Sequence, residues 1–529
     1  MLGNTSSISS AFAWIGQKIL FPEIKVGYLG LSLGAVFEVA VSRTLIIPTF
    51  FASVNQKAGI EICKKICYTE ITSKDRGEGM RTKKRFSLST TRIILLSFLL
   101  VILVGSGLLA LPFAAADGVA VPYIDALFTA TTATCVTGLV TVTTATAWSG
   151  FGQAVILLLI QIGGLGVITV VSWLMLLLHR ELSLSDNLLL QDAFNLNTLS
   201  GLAKFVRKVV LGTLVVEGLG AALYMTVLVP EFGLRGVWMA VFNAVSAFCN
   251  AGMDIIGDTS LYAYVTHPLM NGVTAALIIL GGIGYIVWWD VWRVLRSPRC
   301  RGWRHLTLHT KIVLSVTALL IFGGAAGILL AEYRNPATIG DMGLWDKIQV
   351  SLFQSVTTRT AGFATVPQED LTNAGALLSI LLMFVGGSPV GTAGGIKTAT
   401  LAVLCATAYH TIVGRQQIGL FHRGLSAATI RKAVAVAGMS LTVCLASTLA
   451  LSMVTEAPMV DILYETVSAT ATVGLTRGVT ALLDVWGKLI VIVTMYFGRI
   501  GPISLAIALR THKEEINSIT DPTEEISVG

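Results

Sequence analysis

Four glycines, Gly138, Gly252, Gly362 and Gly474, stand 114, 110 and 112 residues apart, each at the end of a stretch of one kind. The stretches are IDALFTATTATCVTGL from Ile124, MAVFNAVSAFCNAGM from Met239, IQVSLFQSVTTRTAGF from Ile348 and VDILYETVSATATVGL from Val460. Each opens apolar and aromatic, turns rich in Ser and Thr, and closes on glycine and a large apolar residue. Glycine in such a place admits positive φ, which can turn backbone carbonyls inward, and leaves room beside them. A ring of carbonyls can replace the hydration shell of a cation. One such glycine would mark only a re-entrant turn or a close helix contact; four at one period ask for a common site. Its oxygens would come from Val136, Thr137 and Gly138, from Asn250, Ala251 and Gly252, from Thr360, Ala361 and Gly362, and from Thr472, Val473 and Gly474.

The elements that position such a site follow from hydropathy. The chain has 529 residues, 54% hydrophobic and 13% charged, with mean hydropathy +0.76. Soluble domains carry about 25% charged residues, so the composition is that of a polytopic membrane protein. A span needs about 20 apolar residues, and each glycine stretch lies between two such runs. The pairs are 93–111 with 153–178, 209–229 with 271–292, 312–331 with 374–408, and 433–454 with 486–509. The expected fold is all-α and membrane-integral. Four helix–pore-loop–helix units, eight spans in all, surround a central pore. The units read as repeat A (91–180), repeat B (205–293), repeat C (310–408) and repeat D (432–510). An N-terminal extension (1–90), cytoplasmic or interfacial, precedes them, and a cytoplasmic tail (511–529) follows.

Charge sets the expected orientation. Lys74, Arg76, Arg81, Lys83, Lys84, Arg85 and Arg92 lie in one loop, and Arg293, Arg296, Arg299, Arg301, Arg304 and Lys311 in another. The segments 179–208 and 410–432 are basic too. All four precede the first helix of a repeat, so the positive-inside tendency puts them together in the cytoplasm. The half-helices then enter from outside, and the chain belongs to a cell membrane. The net charge of +7 is accounted for by these loops, which argues against nucleic acid as a partner. No secretory signal stands at the N-terminus. Residues 27–53 are apolar but hold Glu38 and Arg43, each costing roughly 2.5–3.5 kcal/mol at the bilayer centre, so an interfacial or partly buried placement is expected.

Seven cysteines, at Cys63, Cys67, Cys135, Cys249, Cys300, Cys405 and Cys444, are odd in number and sit mostly in or beside apolar runs. That argues against a disulfide framework. Cys63 and Cys67 lack a nearby histidine to complete a zinc set. No HExxH, intramembrane aspartate pair or histidine cluster suggests an enzyme, and no bound cofactor is expected.

The second run of repeat C is interrupted by GGSPVGTAGGI at 386–396, followed by Lys397. Gly386, Gly387, Gly391, Gly394, Gly395 and Pro389 do not sustain a helix. The segment reads as a loop inside the membrane lining a cavity, or else as a kinked, tightly packed helix. It is no phosphate loop, because Ile396 separates Gly395 from Lys397. Arg499 lies in the last apolar run, where a charge faces an aqueous cavity or a partner. A barrier to cations and a brace for loop carbonyls are both open to it.

These glycine stretches, together with QIGGLG at 161–166, GGIGY at 281–285 and GRIGP at 498–502, resemble the Ktr/Trk/HKT superfamily of potassium transporters. The resemblance is greatest to the membrane subunit of bacterial Ktr systems and runs over residues 90–510. It implies potassium uptake, in part of the family with sodium dependence, by a homodimer with one pore per subunit. A cytoplasmic ring of nucleotide-binding regulatory subunits is implied as partner. The family's filter glycines fall on Gly138, Gly252, Gly362 and Gly474, and its gating loop on 386–396 with Arg499 beneath the filter. Glycine in the first repeat goes with potassium preference. A sodium-selective or nonselective cation channel of the same architecture is the alternative. With no Rossmann fingerprint in this sequence, regulation by a nucleotide-binding domain implies a separate chain.

Overall fold

The computed structural model describes residues 90–178, 190, 201–297, 302–415 and 417–501. The chain divides into two units, Met1–Phe86 and Ser87–Gly529, and the description concerns the second. Residues 27–53, Cys63, Cys67, Cys300, the tail 511–529 and parts of the basic segments lie outside the described residues.

The described chain is helical apart from one two-stranded hairpin. Its first quarter holds α1 (Thr90–Leu109), α2 (Tyr123–Cys135), α3 (Gly150–Leu165) and α4 (Val167–Leu177). Next come α5 (Leu202–Phe232), α6 (Leu234–Cys249), α7 (Pro268–Gly282) and α8 (Tyr285–Arg296). Then follow α9 (Leu308–Glu332), α10 (Leu344–Thr357), α11 (Asn373–Phe384) and α12 (Thr398–Ile412). After the hairpin of β1 (Gly419–Leu420) and β2 (Arg423–Gly424) come α13 (Ala427–Ser452), α14 (Met459–Ala471) and α15 (Val485–Ile500).

Among the described residues, α1, α5, α9 and α13 are long and apolar enough to cross a membrane. Two bent pairs, α3 with α4 and α7 with α8, raise the number to as many as six. The runs 153–178 and 271–292, each read from the sequence as one span, are broken in two and bend by 97° and 98°. The hinges are Gly166 and Gly284, at φ 85° and 87°, a region open to glycine and closed to most side chains.

Burial is inverted relative to a soluble protein. Leu96, Leu100, Leu103 and Val104 on α1 and Leu441, Leu445 and Leu449 on α13 are exposed, as lipid-facing surfaces are. The interior is where hydroxyls gather: Thr129, Thr131, Thr132 and Thr134 on α2, Ser246 on α6, Ser355 and Thr357 on α10, and Thr466, Ser468 and Thr470 on α14 are all buried. Each of these four short helices also buries a large aromatic: Phe128 on α2, Phe242 and Phe248 on α6, Phe353 on α10 and Tyr464 on α14.

The packing closes on itself. Helices α2, α6, α10 and α14 pack on the long helix that precedes each, and across onto α15, α3, α7 and α11 respectively. The last of these joints to form in chain order is fastened by Lys488 on α15, whose Nζ lies 2.6 Å from Asp125 on α2. Both side chains are largely shielded, so this pair escapes the screening that weakens surface ion pairs.

Glu332 fastens α9 to α11. Its buried carboxylate accepts from Asn335 Nδ2 (2.7 Å), Thr338 Oγ1 (2.9 Å), and the backbone N (2.9 Å) and Oγ1 (2.7 Å) of Thr372, the N-cap of α11. Glu332→Ala would leave those donors unpaired, at a cost of roughly 3 kcal/mol. The expected outcome is a lower thermal midpoint for the detergent-purified protein, with Glu332→Gln falling between. An unchanged midpoint would show that the network adds nothing.

Candidate functional site

The four glycine segments start from helix ends of unusual chemistry. Helix α2 ends with Thr137 N donating to Thr132 O (2.9 Å) and Val136 N to Ala133 O (3.2 Å). Helices α6 and α14 repeat the pattern at Ala251 and Asn250, and at Val473 and Thr472. This is a Schellman closure, whose left-handed residue is usually glycine. Here it is Val136 (φ 56°), Asn250 (φ 61°) and Thr472 (φ 53°). Left-handed backbone is an outlier for a β-branched residue, and such strain persists only where the surroundings fix it. Part of the fixing comes from helix hydroxyls. Thr132 Oγ1 accepts from Gly138 N (2.9 Å), Ser246 Oγ from Met253 N (3.1 Å) and Ser468 Oγ from Gly474 N (3.0 Å).

The third segment departs from the others. Helix α10 stops at Thr357, two residues earlier relative to its glycine, and Thr360 takes the positive φ (65°). Thr357 Oγ1 donates to Phe363 O (2.6 Å) to hold the turn. The extra length admits Arg359, which is buried and donates through Nη2 to Gly386 O (3.3 Å).

Gly138, Gly252, Gly362 and Gly474 all have positive φ, 101°, 64°, 84° and 96°. They meet in a closed ring. A Cβ on Gly138 would stand 2.5 Å from Ala251 O, one on Gly252 2.5 Å from Ala361 O, and one on Gly362 2.5 Å from Val473 O. One on Gly474 would strike Thr137 O, completing the circuit in chain order. No side chain fits, because each glycine lies against the carbonyl just before the next. The hydroxyls of Thr137, Thr360 and Thr472 are buried without a protein partner. The structure thus brings eight of the twelve candidate residues into contact, the four glycines with Thr137, Ala251, Ala361 and Val473; Val136, Asn250, Thr360 and Thr472 directly precede these in the same loops.

A cavity of about 180 Å³ opens on one side of the ring and touches all four glycines, together with Asp254 and Asp258. Burial pushes the Asp254 carboxyl up to about 6, against the lowering effect of bonds from Ser260 and from the backbone at Ile256 and Gly257.

Residues 385–397 lie on the other side, with α11 and α12 ending on either flank. The segment is held by backbone and by side chains, among them Ser388 paired with Thr398 (2.8 Å) and Thr392 Oγ1 donating to Phe248 O (3.1 Å). Gly386 N donates to Ile396 O (3.0 Å), Ser388 N to Gly282 O (2.8 Å), Thr392 N to Gly281 O (3.2 Å), and Thr398 N to Gly387 O (3.0 Å). A Cβ at Gly394 would strike Thr472 Oγ1, so this loop sits directly against the fourth glycine segment. Lys397 Nζ donates back to Ala393 O (2.6 Å). Arg499 Nη1 donates to Thr392 O (2.5 Å) and Nη2 to Gly163 O, tying the loop to the end of α3.

A cavity of about 160 Å³ on this side is lined by Gly394, Gly395, Lys397 and Arg499. Gly386, Gly387 and Gly391 do not line it; a Cβ on Gly391 would meet the backbone of α7, at Gly281 and Gly282. The glycines of the QIGGLG, GGIGY and GRIGP motifs serve close approach: Gly163, Gly281 and Gly498 abut the carbonyls of Thr134, Phe248 and Thr470. Sequence reasoning missed Arg359, although it sits in the quoted TRTAGF. It also missed Asp254, two residues beyond Gly252, whose only signal was a pair of carboxylates, Asp254 and Asp258, just after the glycine.

The family model of TrkH, described as a cation transport protein, matches residues 62–519, beginning further upstream than the motifs alone suggest. The potassium/sodium uptake protein NtpJ of Enterococcus hirae is 37% identical over 85% of this chain and 99% of its own length. The Ktr system potassium uptake protein B of Bacillus subtilis is 37% identical over 83% of this chain and 96% of its own. The crystal structure of the potassium transporter TrkH from Vibrio parahaemolyticus superimposes with TM-score 0.64, at 16% identity, over 85% of this chain and 89% of that one. This last likeness is one of fold.

Arg499 bridges the 385–397 segment and the end of α3. Arg499→Gln should therefore speed hydrogen–deuterium exchange of the amides in 386–396 severalfold and leave α2 unchanged. Equal exchange in both proteins would remove Arg499 from the role of brace.

Proposed function

The chain belongs to the TrkH family of cation transport proteins, and from that premise we propose that it takes up potassium through the ring of four glycines. The observation that carries this reading is the ring itself, in which four loops from α2, α6, α10 and α14 present backbone oxygens with no side chain between them. A potassium ion sheds water if protein oxygens replace its shell. The carbonyls of Val136 to Gly138 and their counterparts in the other loops supply them, aided by the unpartnered hydroxyls of Thr137, Thr360 and Thr472. The C-terminal ends of the four short helices add partial negative charge. Potassium is cargo, and the chain needs no bound cofactor.

The same reading takes 91–180, 205–293, 310–408 and 432–510 as four repeats with eight spans. The basic segments then face the cytoplasm, the Asp254 cavity opens outward, and the Lys397–Arg499 cavity lies on the inward path. Residues 386–396 act as a gate, with Arg359 anchoring its first residue and Arg499 its middle at Thr392. Two cations below the filter oppose an entering ion until the loop moves. The likeness to Ktr proteins supports a homodimer and separate cytoplasmic, nucleotide-binding regulatory subunits. Sodium dependence belongs to the proposal, since one relative is called a potassium/sodium uptake protein. A nonselective or sodium-selective pore is the competing reading. Expression in a strain without potassium uptake tests the choice: growth at low potassium and rubidium uptake are expected, and sodium uptake alone would overturn it.

Two results should follow. Gly138→Ser adds a side chain where Ala251 O already stands, so the carbonyl ring must open. Potassium sheds its shell more readily than sodium, so a distorted ring loses its advantage for potassium first. Rubidium uptake and its preference over sodium should both fall by about tenfold, equivalent to 1.4 kcal/mol, on matched protein amounts. Wild-type uptake and selectivity would remove Gly138 from the filter.

The second concerns acid. With its carboxyl near 6, Asp254 is protonated and neutral at about pH 5 and ionised at about pH 7.5. Ionisation adds a negative charge at the entrance, which raises the local cation concentration. Uptake should rise across that interval, and Asp254→Asn should flatten the rise and settle at the acid-side rate. A variant that keeps the full pH step would assign the titration elsewhere.

A further inference from the structure

A cavity of about 900 Å³ shares no lining residue with the glycine ring. It is walled by the start of α9, the end of α12 and the β1–β2 hairpin. Helix α9 runs from this end toward α10, and α12 runs to this end from the 385–397 loop, so the cavity stands at the end of the bundle opposite the Asp254 opening. Its polar side is cationic. Arg415 and Arg423 line it, with the imidazoles of His410 and His422, and no carboxylate is among the lining residues. Both guanidiniums belong to exposed residues. The floor is apolar, formed by Ile312, Val316, Ala402 and Leu420. Apolar surface continues beyond it on α12, where Ile412 is 85% exposed.

The hairpin that carries Arg423 is built at a cost. Leu420 pairs with Arg423, leaving Phe421 and His422 as a two-residue turn, with φ of 48° and 63°. Positive φ at both positions is the type I′ arrangement, for which Asn-Gly is preferred. Phe-His there is strained, and such strain collects at ligand clamps. Phe421 is held by an edge contact with Trp303, ring centroids 6.4 Å apart. On the facing wall, His410 Nδ1 lies 2.8 Å from Ala406 O, so that nitrogen donates and the ring is fixed in place.

A planar guanidinium recognises phosphate through paired hydrogen bonds. Two of them above an apolar floor, where two helices leave the membrane, match an amphipathic anion. The geometry points to a binding site for a phosphate-bearing anion, the headgroup of an anionic phospholipid, held by Arg415 and Arg423 with its acyl chain along α12. This rests on the chain's membrane placement and on no feature of the filter.

Cys405 supplies the readout, since its exposed thiol lines the cavity. The full-length protein is reconstituted in vesicles of phosphatidylcholine, with or without phosphatidylglycerol. Alkylation of Cys405 by N-ethylmaleimide is followed by peptide mass spectrometry, and rubidium uptake is measured on the same vesicles. Phosphatidylglycerol should slow alkylation by about fivefold through occupancy. The pair Arg415→Gln with Arg423→Gln should abolish that slowing, and Arg415→Lys with Arg423→Lys should restore part of it.

Protection by inorganic phosphate in phosphatidylcholine vesicles would support the same chemistry from a soluble source. Equal alkylation under all conditions would overturn the site. So would slowing that persists in the double Gln variant, which reports surface charge alone. Protection by polyglutamate but by neither lipid nor phosphate would hand the cavity to a protein partner and overturn it too. Rubidium uptake that survives while protection fails counts against this site alone; absent uptake in the unaltered protein counts against the proposed function.

Discussion

Backbone touching backbone at Gly138, Gly252, Gly362 and Gly474 is the constraint on which the rest of the structure depends. Each glycine rests against the carbonyl that precedes the next, so the four loops are mutually required and none can be built alone. Side chains could not make this contact, and a single Cβ would force a carbonyl away. The short helices must therefore aim their C-terminal ends at one point. Their neighbours must come close enough to hold them there, which is why Gly163, Gly281 and Gly498 abut helix-end carbonyls. The ion pair of Lys488 with Asp125 closes the circuit between the last helices and the first.

Such a centre is polar, and lipid cannot solvate it. The chain solves this by turning its chemistry inside out, with leucines facing outward from α1 and α13 and threonines facing inward from α2 and α14. Those hydroxyls have two tasks. Thr132, Ser246 and Ser468 satisfy backbone amides of the loops and so hold Val136, Asn250 and Thr472 in left-handed backbone. Others, such as Thr137 and Thr360, are left with free oxygens. A buried hydroxyl without a partner costs free energy, and a cation in the ring would offset that cost.

How far this was legible in the sequence differs from element to element. The glycine period and the broken run at 386–396 could be read because glycine and proline act locally, through the backbone. The bends at Gly166 and Gly284 could have been read from QIGGLG and GGIGY, but hydropathy averages over them and makes one run of two helices. The left-handed Val136 and Thr472 were beyond reach, since their residue types argue against that conformation and only the tertiary packing imposes it. Arg359 and Asp254 were hidden for another reason. A charge in an apolar stretch has no meaning until the loops that surround it are assembled.

The third segment shows what assembly adds. Three of the four helix ends close in the same way, but α10 stops early and its loop is longer. The extra length admits Arg359, and Arg359 reaches Gly386 at the head of the 385–397 segment. Arg359 stands three residues before its glycine, where the other segments have Cys135, Cys249 and Ala471, so only the third segment offers a guanidinium at that place. The segment between α11 and α12 thus takes its anchor from the loop that follows α10, while Arg499 on α15 holds Thr392 further along. The 385–397 segment is thereby attached asymmetrically beneath the ring, by Arg359 at Gly386 and by Arg499 at Thr392. The departure of the third segment from the pattern thus supplies the side chain that fixes the head of the loop.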